Sequence, residues 1–92
     1  MEKRVHLIIR GLVQGVGFRM FIERAARERS LSGWTRNLHD GTVEVEAQGA
    51  PGLVEELVAQ SRIGPSRSRV TSVTVREKTV EPSGGGRFII LS

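Results

Sequence analysis

Ninety-two residues with 38% apolar composition make one small domain spanning 1–92, able to bury roughly 65% of its unfolded surface, which leaves no room for a second. The absence of cysteine excludes a disulfide framework, a thiolate zinc site and a thiolate nucleophile, and no run is apolar enough for a signal-peptide core or a membrane span, which predicts a soluble, cytoplasmic protein with no membrane partner. Fourteen basic residues against ten acidic give a formal charge of +4, favouring an anionic ligand, either a phosphorylated small molecule or nucleic acid.

Val5 to Val13 is nearly continuous in Val, Ile and Leu, the pattern of a central strand contacted on both faces. His6 stands alone within it, with no second metal-type ligand nearby, and reads as structural. The strand runs into Gly11-Leu12-Val13-Gln14-Gly15-Val16-Gly17-Phe18-Arg19. Glycines at 15 and 17 permit positive φ, so successive N–H groups can converge on one point, and a helix beginning at Phe18 adds unpaired donors and the positive end of its dipole. Gly15, Val16, Gly17, Phe18 and Arg19 thus outline an anion cradle with Arg19 as its fixed charge. The same glycines also serve simply to make a turn, and a helix-start arginine simply to meet water. The spacing lacks the Gly-Lys-Ser/Thr ending of a P-loop and the third glycine of a dinucleotide fingerprint.

From Phe18 to about Ser30, Phe18, Phe21, Ile22, Ala25 and Ala26 recur at helical spacing, opposite Glu23, Arg24, Arg27 and Glu28. Glu23–Arg27 and Arg24–Glu28 are i,i+4 pairs that predict a solvated helix face. Gly33–Asn37 and Thr42–Gln48 flank Asp40-Gly41 and read as a hairpin. Val43, Val45 and Ala47 face the core while Glu44, Glu46 and Gln48 meet water; His39 is an exposed turn residue. Asn37 is the sole asparagine, placed where strand yields to turn. Its amide can donate and accept at once, as positioning a water requires, although turn asparagines commonly serve only their own backbone. Pro51 opens a second helix carrying Leu53, Val54, Leu57 and Val58, and Gly64-Pro65 stops it. Val70–Val80 is a fourth strand. A flexible Pro82–Gly86 connection then leads to a short last strand, Phe88–Leu91.

Strand, helix, strand, strand, helix, strand is a ferredoxin-like split βαβ (βαββαβ) of the α+β class, mostly antiparallel, with two helices on one face and a short fifth strand. Right-handed crossovers put the first strand at the centre and bring Asn37 towards Arg19.

Two stretches resemble the motifs of the acylphosphatase family. Ile9-x-Gly11-x-Val13-Gln14-Gly15-Val16-x-Phe18-Arg19 matches the first without a mismatch, and Gly33-Trp34-x-Arg36-Asn37-x-x-x-Gly41-x-Val43, ending at Gly49, is similar to the second. Thr35 departs from the small apolar residue common there, and Ser92 from the basic or aromatic end. The resemblance also extends to the first domain of a larger hydrogenase-maturation protein. It implies hydrolysis of a small acyl phosphate to a carboxylate and inorganic phosphate, with no cofactor and no metal. Arg19 and the Gly15–Arg19 backbone would bind the phosphoryl group, Asn37 would orient the attacking water, and phosphate would inhibit as product. The chemistry suits these residues, because a carboxylate of conjugate-acid pKa ~4 leaves without a general acid. A monomer that binds no nucleic acid is expected. The alternatives are a basic nucleic-acid-binding module, which needs aromatics on the open sheet face, and a silent interaction domain.

Overall fold

Alternation along β1 (Lys3–Leu12) decides where the core lies. Val5, Leu7 and Ile9 are buried on one face, while His6 and Ile8 on the other are only half-buried. Both faces of β1 are thus contacted, but unequally: helices cover one face, and polar partners of Arg4, His6 and Arg10 meet the other. The computed structural model describes residues 1–82 and 86–91. Ser83, Gly84 and Gly85 of the expected flexible connection, and the terminal Ser92, lie outside the described residues.

Helix α1 (Phe18–Glu28) turns Phe18, Ile22, Ala25 and Ala26 into the core. It closes with Ser30 at φ 57°, where the Ser30 N–H reaches Arg27 O and the Leu31 N–H reaches Ala26 O, the paired bonds that satisfy a helix's last carbonyls. Of the two predicted surface pairs, Glu23–Arg27 forms at 3.2 Å. Arg24–Glu28 does not; Glu28 lies 3.9 Å from Arg29 instead.

β2 (Ser32–Asn37) and β3 (Val43–Gly49) form the expected hairpin, and α2 (Pro51–Ile63) buries Val54, Leu57 and Val58 against the same face as α1. β4 (Arg69–Lys78) and β5 (Phe88–Ile90) complete a sheet of order β4-β1-β3-β2-β5. Every pairing is antiparallel except β2 with β5. The fold is the ferredoxin-like α+β sandwich, with one positional correction: β3 holds the middle and β1 stands beside it, because β5 adds a strand on the far side of β2. No helix among the described residues is long and apolar enough to cross a membrane.

The open sheet face also departs from expectation. Glu44 and Glu46 do not simply meet water. The side chain of Glu44 is only 14% exposed, 2.7 Å from His6 Nε2 and 2.6 Å from Arg36 Nε. Glu46 accepts from the buried Arg4 at 2.9 Å, and Gln48 is itself buried. His6–Glu44 and Arg4–Glu46 are diagonal cross-strand pairs and Arg36–Glu44 is directly opposite, spatial relations that no single strand's alternation reveals. Burial alone would raise the Glu44 carboxyl, yet its bonds to His6 and Arg36 outweigh that and hold it below the usual carboxylate range.

Candidate active site

The loop between β1 and α1 makes two left-handed steps, at Gly15 (φ 74°) and Gly17 (φ 80°). A side chain at either would meet nothing within 4 Å, so these glycines are required by backbone conformation rather than by lack of space. Gly17 is the N-cap of α1. Among the described residues no side chain caps the helix, no acidic residue stands in its first turn, and the first helical bond runs from Phe21 N–H to Gly17 O at 3.0 Å. The N–H groups of residues 18–20 therefore have no acceptor within the helix.

Arg19 stands at this positive end, where a cation is disfavoured by about 0.3–1 kcal/mol. Of the twelve arginines, only Arg4, Arg19 and Arg29 are withdrawn from full exposure. Arg4 pairs with Glu46, and Arg29 with Glu56 at 3.1 Å. Among the described residues Arg19 alone of the three has no carboxylate. Its one acceptor among the described residues is the Leu91 carbonyl at a long 3.5 Å, which they leave as the only use of its donor fork.

Register explains why Asn37 faces the same region. It sits opposite Val43, and Thr35 opposite Val45, so Asn37 shares the helix-covered face while Arg36 looks to the open one. As the last residue of β2 it projects past the core at the sheet's end, exposed, and its amide takes no part in the side-chain hydrogen bonds of the described residues. A cavity of about 160 Å³ is lined by Val13, Gly15, Gly17, Phe18, Arg19, Met20, Asn37 and Ile90. Arg19 and Asn37 thus border one space. Val16 does not line it; its side chain packs on the core.

Several contributors were given no part in the site by the sequence reading. Gln14 donates from Nε2 to Leu38 O at 2.7 Å and to Thr42 O at 2.9 Å, tying the loop to the hairpin that carries Asn37. Asp40 accepts from the Thr42 hydroxyl at 2.7 Å and the Thr42 N–H at 3.1 Å, bonds that lower its carboxyl pKa and fix the turn. β5 supplies the wall: the Leu91 N–H reaches Thr35 O at 2.8 Å, setting Ile90 into the cavity and the Leu91 carbonyl beside Arg19. Thr35, the departure from the family pattern, is fully buried, and its hydroxyl donates to Glu44 O at 2.9 Å, so the extra polar atom is satisfied. An amide directly before Gly15 was the available signal for Gln14. Nothing in the short last strand signalled its role.

The fold and the cavity define a ferredoxin-like α+β protein whose cationic recess, without a carboxylate among the described residues, is fit to receive an anion. A family model described as Acylphosphatase matches residues 5–90. An acylphosphatase of Chlorobaculum tepidum is 71% identical over 82 residues, 89% of each chain. The crystal structure of acylphosphatase from Bacillus subtilis superposes with a TM-score of 0.93 at 36% identity, over the whole of both chains. That of Thermococcus kodakarensis HypF gives 0.82 at 30% identity over 98% of this chain but 12% of that one. The chain belongs to the acylphosphatase family, hydrolases that act on acid anhydrides.

Proposed function

We propose that this chain hydrolyses the carboxyl–phosphate bond of small acyl phosphates, with Arg19 and the Gly15–Arg19 backbone holding the phosphoryl group and Asn37 orienting the attacking water. The observation that carries the reading is the placement of Arg19: half-buried, with no carboxylate among the described residues, at the positive end of a helix that none of their side chains caps. Each of these costs stability, and a bound phosphoryl dianion reverses them all. The water oxygen forms a bond to phosphorus as the bond to the acyl oxygen breaks. The electron pair leaves on the carboxylate, and the water's protons end on the phosphate, giving RCOO⁻ and H₂PO₄⁻ from the acyl phosphate dianion and water. The leaving group needs no proton, so the cavity needs no general acid. Position and charge compensation remain as the requirements, and the guanidinium fork and free N–H groups offer both.

The reaction is proposed to run without metal. Among the described residues no three His, Cys, Asp or Glu side chains come together, and none of those residue types lines the cavity. We take residues 1–92 as one domain acting as a cytoplasmic monomer, inhibited by the phosphate it releases. Nucleic-acid binding is not favoured, because the open sheet face offers only Trp34, itself covered by the Arg36 guanidinium at 5.4 Å, while Phe18 and Phe88 are buried. The test is hydrolysis of benzoyl phosphate with and without excess chelator. Turnover that persists in chelator is expected. Absence of turnover would overturn the activity, and loss that magnesium or zinc restores would overturn the metal-free route.

A further inference from the structure

The phosphate-side cavity does not end at Met20. A second hollow of about 330 Å³, lined by Gly17, Met20, Phe21, Arg24 and Pro65, shares Gly17 and Met20 with the first. Positions 17, 20, 21 and 24 are i, i+3, i+4 and i+7, so the hollow is a stripe along one face of α1, reaching about 10 Å from the loop at 1.5 Å per residue. Its near part is apolar. Met20 is 66% exposed, and Phe21 packs edge-on against Phe18 with ring centroids 5.9 Å apart. Its far end is Arg24, whose expected partner Glu28 lies towards Arg29 instead. Arg24 makes no ion pair among the described residues, and no acidic residue lines the hollow.

Resting on the hydrolase reading above, we propose that this stripe seats the acyl chain and that Arg24 determines specificity, selecting acyl phosphates whose chain ends in a second anion such as a carboxylate. A phosphoryl group held at Gly17 and Arg19 leaves its acyl carbon at the shared rim formed by Gly17 and Met20. The chain then covers apolar surface at Met20 and Phe21, and a terminal carboxylate meets Arg24. A chain of equal length ending in methyl gains the apolar contact alone.

The test compares glutaryl phosphate with pentanoyl phosphate, matched at five carbons. The expected kcat/KM ratio favours glutaryl phosphate by about fivefold, the scale of an exposed charge contact. Arg24→Gln brings the ratio to about one, and Arg24→Glu inverts it. Arg76→Gln, which removes the same charge from β4, keeps the parental ratio. Calorimetric binding of the matched acylphosphonates should give the same ordering without turnover, so a chain that fails to hydrolyse benzoyl phosphate loses the hydrolase reading while Arg24 is still judged by affinity. A parental ratio near one, a ratio unchanged in Arg24→Glu of native circular dichroism, or an equal fall in Arg76→Gln overturns the proposal.

Discussion

At Arg19 the shape of the cation matters as much as its charge. A guanidinium presents a planar fork to two phosphoryl oxygens, whereas an ammonium is a single, strongly hydrated point. Arg19→Lys is therefore expected to lose at least tenfold in kcat/KM, about 1.4 kcal/mol of transition-state stabilisation. A folded lysine variant within about threefold of the parent would contradict the bidentate role. Asn37 should behave differently. If it holds water rather than substrate, Asn37→Ala lowers kcat by ~100-fold while inorganic phosphate still inhibits with parental affinity, because the lost contact matters chiefly in the transition state. Turnover measured beside phosphate inhibition separates the two residues, since Arg19 variants lose both. An Asn37→Ala variant that keeps its kcat would move the water-orienting role elsewhere.

At the scale of elements, the site is a junction between the β1–α1 loop and the β2–β3 turn, and Gln14 is the side chain that bonds them together. Its amide serves two backbone carbonyls, Leu38 O and Thr42 O. Each carbonyl also accepts a backbone N–H, Thr42 O from Leu38 at 2.9 Å and Leu38 O from Gly41 at 3.2 Å, so truncation removes both amide bonds without orphaning either acceptor. Gln14→Ala should cost about 1–2 kcal/mol of stability for two neutral bonds. It should also lower kcat by roughly tenfold, since small displacements between reacting groups are costly. Urea unfolding and steady-state kinetics on the same variant check this. A stability loss with parental kcat would show that the tie supports the fold and not the alignment of the cavity.

Across the whole molecule, the open sheet face replaces a second helical layer with a network of charges, and this makes stability depend on acid. The Glu44 and Asp40 carboxyls both lie below their ordinary values of 4.5 and 3.8. A depressed folded pKa means that the contribution is complete above the unfolded value and is lost as pH falls through the folded one. Stability should thus stay level from neutral pH to about 5 and decline below about 4.5 as protons compete with His6 and Arg36 for Glu44. Glu44→Gln should be less stable than the parent at pH 7 by about 1–3 kcal/mol, the range for bonds to a charged group, and should lose less on going to pH 3. Denaturant midpoints at the two pH values measure both. Equal acid sensitivity in parent and variant would place the titrating groups elsewhere.

The order of elements, the loop-to-helix junction at Gly15 and Gly17, and the family could all be read along the chain, because periodicity, turn chemistry and motif spacing are local properties. Arg19 and Asn37 could be picked out as candidates, one after the glycines and the other as the sole asparagine. Who stands next to whom could not. Only the cross-strand register shows that Glu44 and Glu46 are bonded rather than solvated. Only the parallel seat of β5 puts Ile90 and the Leu91 carbonyl beside Arg19, and only the folded chain shows that Arg19, alone of the three arginines withdrawn from full exposure, has no carboxylate among the described residues. Partners such as Arg4 and Glu46 are more than forty residues apart, and hydrogen bonds and charge compensation act over a few ångströms of space, a distance that the order of residues along the chain does not encode.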